Sequence, residues 1–318
     1  MFWTRLCTLI CTAFFLLSAP ALAAGDFPTR TINVINAWLP GGIGEMAYRP
    51  VGDELAKILK TNVVLVPSAG AGGLMGVNKA LTSRPNGYNL LLTTDASLIG
   101  LSTLRKVRWS MDDFIPVGSL GSPSVGLAIR KGDPRFSTFE EFVAYAKAHP
   151  GELSAGQTGM LGTEHLNSAI VYTALGIDVK LVPFDGTLAV VAALSSGHVD
   201  CTVTSMLYYE GIQPLAGCAG ERYPTFPDMP TLKEKGYDVD WGYNWGLFAR
   251  KGTPPDQVKV LADAMRQAVQ SPAVLSNLDN VKMNPTFMQG EEWATAIRER
   301  TEKVKSLVAK GIIIPEKK

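Results

Sequence analysis

The residues of this sequence whose type and spacing suggest a chemical role lie in glycine-rich segments. The segment VPSAGAGGLMG, from Val66 to Gly76, follows the apolar run NVVLV and precedes apolar residues at helical spacing. A strand, a glycine loop and a helix in this order can hold the pyrophosphate of a dinucleotide, and Asp95 follows after about 20 residues, where a ribose-binding acid would stand. The first hypothesis is therefore an NAD site.

The details of the loop argue against NAD. Gly70, Gly72 and Gly76 are spaced G-x-G-x-x-x-G instead of G-x-G-x-x-G, and the loop follows the second predicted strand. No Lys-Ser or Lys-Thr pair follows the glycines, as a phosphate-binding P-loop would require. An exported protein would also meet little NAD, and the N-terminus predicts export.

Residues 1–23 have the pattern of a secretory signal. Arg5 precedes an apolar stretch from Leu6 to Leu17, which is followed by Pro20 and by small residues at the expected cleavage site. We predict cleavage after Ala23 or the next alanine. A membrane anchor is the alternative, but the apolar stretch is shorter than the roughly 20 residues that a spanning helix needs. The mature protein is expected to be soluble and periplasmic.

The mature sequence is nearly neutral and long enough for two domains. Without the signal, 29 Lys and Arg balance 29 Asp and Glu over about 295 residues. This balance gives no reason to expect nucleic acid or an anionic membrane as a partner. Runs of β-branched residues alternate with helical patterns, which predicts an α/β fold with mostly parallel sheets.

The sequence contains no recognisable catalytic or metal-binding pattern. It has no G-x-S-x-G nucleophile motif, and no pair among its three histidines has the i, i+4 spacing of a helical metal site. We therefore predict that the protein is not an enzyme and carries no cofactor. Cys201 and Cys218 remain in the mature chain, where they either form a disulfide or lie buried separately.

Several boundaries follow from local signals. Pro50 is best tolerated in the first turn of a helix, so the first helix is expected to start or kink there. Ser137 and Glu140 have the spacing of a capping box. Beyond the proline-rich and aromatic segment that starts at RYPTFP, two helices are expected to close the chain, the last of them starting near Glu291.

Four small-residue loops stand where predicted strands end and helices begin. They are LPGGIGE at 39–45, SAGAGG at 68–73, AGQTGMLGT at 155–163 and FDGT at 184–187. Ligands of open α/β sheets bind at the carboxyl ends of strands, and a helix N-terminus there offers free N–H groups to an anion. Glycine allows the close approach of the backbone to a ligand. Two such loops in each of two domains would enclose a small anion.

Seven sequence motifs follow one another in an order that resembles a known family. WLPGGIGE, SAGAGGLMG, RPNGYNLLLTT, GTEHL, VPFDGTLAVVAALSSGHVD, FPDMPTLKEKGY and WGLFARKGTP follow one another as in the Bug-type extracytoplasmic receptors of tripartite tricarboxylate transporters. The resemblance implies a two-domain periplasmic-binding-protein fold of type II, the Venus flytrap, with the ligand cleft between the domains. It also implies capture of a small carboxylate for integral-membrane transporter subunits.

The resemblance also implies a set of site residues. The family loops fall on Trp38 to Gly42, on Ala69 to Gly73 and on Gly159 to Leu166, with Thr163 expected to cap the TEHL helix and His165 to form a structural hydrogen bond. The predicted ligand-binding residues are Trp38, Gly41, Gly42, Ile43, Gly44, Ala71, Gly72, Ser97, Gln157, Thr158, Gly159, Thr163 and Asp185.

The sequence departs from the family pattern at positions that bear on specificity. Glu45 replaces a shorter Asp, Ser68-Ala69 replaces Arg-Pro, and Asp185 replaces a common Lys. The loss of a cation and the gain of an acid near the cleft disfavour a highly charged polyanion such as citrate. The expected ligand is a monocarboxylate or dicarboxylate, with amidated and aromatic acids among the alternatives.

These inferences give one function and one domain division. The function is that of a periplasmic solute receptor, expected to be monomeric, that closes by a hinge and delivers its ligand to a transporter. A sensing subunit that signals to a membrane kinase is the alternative, and an exported enzyme is less favoured. One predicted domain comprises residues 24–122 and 237–318, and the other comprises residues 123–236.

Overall fold

The computed structural model describes residues 27–206 and 210–316, so the predicted signal lies outside the described residues. The strands are β1 (Ile32–Asn36), β2 (Val63–Pro67), β3 (Asn89–Thr94), β4 (Phe114–Pro123), β5 (Val125–Arg130), β6 (Ser154–Thr158), β7 (Lys180–Phe184), β8 (Cys201–Ser205), β9 (Ile212–Gly217), β10 (Trp245–Arg250) and β11 (Met283–Asn284). The helices are α1 (Ile43–Leu59), α2 (Leu74–Thr82), α3 (Asp95–Leu104), α4 (Phe139–Ala148), α5 (Thr163–Leu175), α6 (Thr187–Ser195), α7 (Pro255–Val269), α8 (Pro272–Asn280) and α9 (Gly290–Ala309).

The strands form two mixed sheets. The first has the order β11-β4-β10-β3-β1-β2 and the second β7-β6-β8-β5-β9. In each sheet, three parallel strands are extended by antiparallel ones. The two-domain α/β fold is confirmed, but the sheets are mixed instead of mostly parallel. A strand that arrives from the other sheet starts where the parallel strands end, so β5 and β10 must run antiparallel to them.

The segment that returns the chain to the first sheet differs most from expectation. Strands β9 and β10 flank it and were not predicted as strands, since Pro214 interrupts the first and aromatic residues surround the second. Three helices, α7, α8 and α9, close the described chain where two were expected, although α9 does begin next to Glu291. The capping box of α4 is Thr138 with Glu141, one residue later than predicted, because Ser137 lies outside the helix.

Helix α1 starts at Ile43. Of the two alternatives, a start or a kink at Pro50, the prediction of a start there is therefore wrong. Pro50 lies inside the helix and has no N–H for the carbonyl of Met46, four residues earlier. The side-chain amide of Asn277 on α8 donates to that carbonyl at 3.0 Å. A neighbouring helix thus satisfies the acceptor that proline leaves free, and the helix N-terminus extends seven residues beyond Pro50.

We expect Asn277→Ala to lower the free energy of unfolding by about 1 kcal/mol, the usual net contribution of one hydrogen bond. In a Pro50→Ala background the same change should cost clearly less, because the alanine N–H at position 50 can donate to Met46. Urea denaturation of the four proteins of this double-mutant cycle measures the difference. Equal costs in the two backgrounds would contradict this role of Asn277.

The two cysteines of the mature chain are free and buried. Cys201 lies on β8, and Cys218 follows β9, with β5 between the two strands. Two strand spacings are about 9.6 Å, which is beyond the Cα separation that a disulfide allows. The alternative of separately buried thiols therefore holds, and burial raises the pKa of Cys201 to about 12.

Candidate functional site

A cavity of about 140 Å³ lies between the two sheets. It is bounded by the carboxyl ends of parallel strands from both sheets and by the first turns of α1, α5 and α6. This is the position at which α/β sheets bind ligands. The first sheet and the segment before β10 contribute Trp38, Leu39, Pro40, residues 42–45, Thr94, Tyr243 and Trp245, and the second sheet contributes Thr158, Thr163, Glu164, residues 185–188 and Ser205.

The N-terminus of α1 forms one end of the cavity wall. Gly42 precedes the helix, and no side chain caps it. The first-turn acid, Glu45, accepts a hydrogen bond from the N–H of Gly41 at 3.2 Å and forms an ion pair with Arg49. The charge of Glu45 is thereby balanced, and the uncapped first turn keeps the partial positive charge that attracts an anion.

Two tryptophans form an apolar wall of the cavity. The rings of Trp38 and Trp245 meet edge to face, with centroids 6.0 Å apart. The indole N–H of Trp38 donates to Thr93 at 3.2 Å, whereas the buried Nε1 of Trp245 has no partner among the described groups. A Cβ at position 44 would lie well under 3.0 Å from three carbons of the Trp245 ring. Gly44 therefore allows this ring to pack against α1.

A buried side-chain carboxyl group, that of Glu164, forms part of the wall on the side of the second sheet. Glu164 is 3% exposed, accepts a hydrogen bond from the N–H of Thr158 at 2.6 Å and a second from the hydroxyl of Thr204. Burial raises the pKa of Glu164 above its ordinary value, and these hydrogen bonds oppose that shift. The next residue, His165, contacts Gln157 through Nδ1 and does not line the cavity.

A buried hydrogen bond joins the two sides of the cavity. The hydroxyls of Thr94, at the end of β3, and Thr163, at the start of α5, lie 2.6 Å apart. The Thr94 oxygen also accepts the N–H of Ser97 at 3.0 Å. Thr163 was expected to cap α5, but Gly162 occupies the N-cap position without a side-chain bond. The hydroxyl of Thr163 is thus used between the domains.

We expect Thr163→Val, which keeps the shape and removes the hydroxyl, to weaken ligand binding about five-fold, corresponding to about 1 kcal/mol for one hydrogen bond. The reason is that the variant loses the hydrogen bond that joins the two sides of the cavity. Calorimetric titration measures the change, with Thr173→Val at the exposed end of the same helix as the control. Equal affinities of the two variants would contradict the role of this bond.

The second glycine loop lies beside the cavity and not on it. Ala71, Gly72 and Gly159 line a neighbouring space of about 270 Å³ that shares Trp38, Leu39, Thr158, Asp185 and Gly186 with the cavity. A Cβ on Gly159 would lie 3.0 Å from the Cα of Gly72. The backbones of the two loops are therefore in contact, and glycine at these positions serves the approach of one side of the cleft to the other.

The structure brings together most, but not all, of the predicted site residues. Trp38, Gly42, Ile43, Gly44, Thr158, Thr163 and Asp185 line the cavity. Gly41, Ser97 and Gln157 line neither space: Gly41 donates to Glu45, Ser97 donates to the carbonyl of Gly72, and Gln157 is fully buried. Gln157 precedes Thr158 on β6, and alternate residues of a strand point to opposite faces.

Sequence reasoning missed several residues of the wall. Thr94, Glu164, Ser205, Tyr243 and Trp245 were not predicted as site residues, although all line the cavity. Glu164 lies within the GTEHL word, so its position next to Thr163 was an available signal. Tyr243 and Trp245 reach the cavity only because β10 pairs with β3, which no local pattern indicates.

Comparison with known proteins places the chain in a family. The family model described as "Tripartite tricarboxylate transporter family receptor" matches residues 47–312. The chain belongs to this family. Its members are solute receptors, so the resemblance to Bug-type receptors is confirmed.

Individual relatives agree with this assignment. The receptor is 31% identical over 305 residues to the "UPF0065 protein in gbd 5'region" of Cupriavidus necator, which covers 94% of this chain and 93% of the relative. It is 26% identical over 308 residues to Protein BugT of Bordetella pertussis, which covers 90% of this chain and 94% of the relative. The structure of MatC from Rhodopseudomonas palustris with bound malate is similar, with a TM-score of 0.81, 26% identity and coverage of 89% of this chain and 100% of MatC.

The described part of the receptor shows neither a membrane-spanning helix nor a cluster of metal ligands. Between residues 27 and 206 and between 210 and 316, no helix is both long and apolar enough to cross a membrane. In the same residues, no group of three or more His, Cys, Asp or Glu side chains is placed to hold a metal ion.

Proposed function

We propose that this receptor captures a small carboxylate in the periplasm and delivers it to the integral-membrane subunits of a tripartite tricarboxylate-type transporter. The observation that carries the proposal is the uncapped N-terminus of α1 on the wall of a cavity between two sheets. Backbone N–H groups there can bind a carboxylate, and the protein needs no cationic side chain for this purpose. MatC, a structural neighbour, holds malate, which is a small carboxylate.

The proposed mechanism is hinge closure. One domain comprises residues 24–122 and 237–318 and the other residues 123–236, so the chain passes twice between them. Closure brings Thr94 to Thr163 and Gly72 to Gly159, and it encloses the ligand. The ligand stabilises the closed form by its differential affinity for that form. The membrane partner then recognises the closed receptor, which acts as a monomer, without a cofactor and without catalysis.

A thermal-shift screen of residues 24–318 tests the proposal. The panel contains monocarboxylates, dicarboxylates, tricarboxylates, amino acids, aromatic acids and NAD. A ligand that binds only the native state raises the melting temperature by mass action. We expect a rise with one class of carboxylate and none with its primary amides or with NAD. No rise with any acid, or a rise with NAD, would refute the proposed function.

A further inference from the structure

The side chains on the cavity wall include acids but no cationic residue. Glu45, Glu164 and Asp185 are the acidic residues of the wall, and the described lining contains no Lys, Arg or His. Only Glu45 has a cationic partner, because Arg49 pairs with it. Neither Glu164 nor Asp185 takes part in an ion pair with another described residue. Glu164 and Asp185 are therefore without a counter-charge among the described residues.

The burial of Glu164 makes the missing counter-charge costly. The side chain is 3% exposed, and an ionised carboxylate in such surroundings is unfavourable unless it is paired. Its hydrogen bonds come from neutral donors, the N–H of Thr158 and the hydroxyl of Thr204. The neighbouring His165 supplies no charge, because burial lowers its pKa. Since burial raises the pKa of Glu164, a cationic group of the ligand would favour the ionised form of this side chain, and the described wall supplies no such cation.

The part of the wall formed by α1 and Trp245 favours an anionic group instead of a cationic one. The first turn of α1 is uncapped, and its one acid is neutralised by Arg49. The Nε1 of Trp245, a residue that is only 6% exposed and lines the cavity, is a donor without a partner. These donors require an acceptor on the ligand, for which a carboxylate is suited. The wall thus combines donors on the side of the first sheet with acidic residues, Glu164 and Asp185, on the side of the second sheet, and the rings of Trp38 and Trp245 also line it.

We propose that the ligand is a zwitterion, in which a carboxylate faces α1 and Trp245 and a cationic nitrogen faces Glu164 and Asp185. This inference rests on the proposed function and narrows its ligand class from carboxylates in general to those that carry a positively charged nitrogen. The aromatic rings of the wall favour such a cation, because their faces attract ammonium groups. A second carboxylate near Glu164 and Asp185 would meet acidic side chains and no cationic residue of the described wall.

Calorimetric titration with matched pairs of compounds tests this assignment. Glycine betaine and tert-butylacetate have the same shape and differ in a positive nitrogen in place of a carbon. Proline with cyclopentanecarboxylate and γ-aminobutyrate with valerate are further pairs, and malate and adipate represent dicarboxylates. We expect the best zwitterion to bind at least about 10-fold more tightly than its partner without the positive nitrogen and than either dicarboxylate.

Variants identify the groups responsible. Glu164→Gln keeps the shape and removes the charge, and it should reduce the preference for the zwitterion over its partner at least about five-fold. Asp185→Asn, at an exposed position, should reduce it in the same direction and serves if Glu164→Gln does not fold. Asp238→Asn, at an exposed position outside the cavity, should leave the preference unchanged.

The outcomes separate the two proposals. Tighter binding of a dicarboxylate or of the partner without the positive nitrogen would overturn the zwitterion assignment and leave a carboxylate receptor. An undiminished preference in both cavity variants would also overturn it. Absence of binding by every carboxylate, charged nitrogen or not, would instead refute the proposed function.

Discussion

Asp95→Asn is expected to lower the free energy of unfolding by about 3 kcal/mol, the cost of removing one partner from a buried ion pair. Asp95 begins α3 and is fully buried. Its carboxylate forms an ion pair with Arg300 of α9 and accepts the indole N–H of Trp293 at 3.0 Å and the N–H of Asn244 at 3.1 Å. Asparagine leaves the guanidinium without its counter-charge in a largely buried place.

Urea denaturation measures this loss, and a second ion pair of α9 provides the control. Glu291 pairs with Arg298, and both side chains are mostly exposed. Glu291→Gln should therefore produce no measurable change, because exposed pairs contribute little. A loss for Asp95→Asn as small as that for Glu291→Gln would show that the Arg300 pair does not stabilise the fold.

Gly44→Ala is expected to weaken ligand binding by at least about 100-fold, which corresponds to about 2.7 kcal/mol. The new methyl group would overlap the six-membered ring of Trp245, so the ring must move, and it lines a cavity of only about 140 Å³. Overpacking of this kind also costs typically about 1–3 kcal/mol of stability. Calorimetry with the best ligand of the screen measures the first effect, and urea denaturation measures the second.

Gly42→Ala is the matched control for stability. A Cβ at position 42 would have its nearest neighbour at 3.5 Å, an ordinary contact, and the backbone there is extended. The stability of this variant should stay within about 0.5 kcal/mol of the parent protein. In a Trp245→Leu background, Gly44→Ala should lose most of its cost, because the ring is absent. An unchanged cost in that background would contradict the overlap as the cause.

The parts of the site that follow a local rule could be predicted from the sequence. LPGGIGE stands between a β-branched run and a helical pattern, and residues 42–45 do line the cavity. Asp185 lies in FDGT, between a strand and a helix, and was noted because it replaces a Lys that is common in the family; it also lies on the wall. These predictions rest on the order of strand, loop and helix, which neighbouring residues determine.

The parts that depend on contacts between distant segments could not be predicted. Asp95 stood at the spacing of a ribose-binding acid, yet it pairs with Arg300, far along the chain. Pro50 seemed to mark a helix start, but a side chain of another helix, Asn277, satisfies the carbonyl it leaves free. The hydroxyl of Thr163 had the sequence position of a cap, whereas in the structure it forms a hydrogen bond with Thr94.

A crystal structure of the receptor with the best ligand of the screen would show directly whether a carboxylate binds at the N-terminus of α1, between the two sheets. We expect a carboxylate oxygen of the ligand within about 3.2 Å of backbone N–H groups in the first turn of α1, which is the usual limit for a hydrogen bond. We also expect the Thr94–Thr163 bond to be present in the complex. A ligand bound outside this cavity, or one whose carboxylate faces away from α1, would contradict the account.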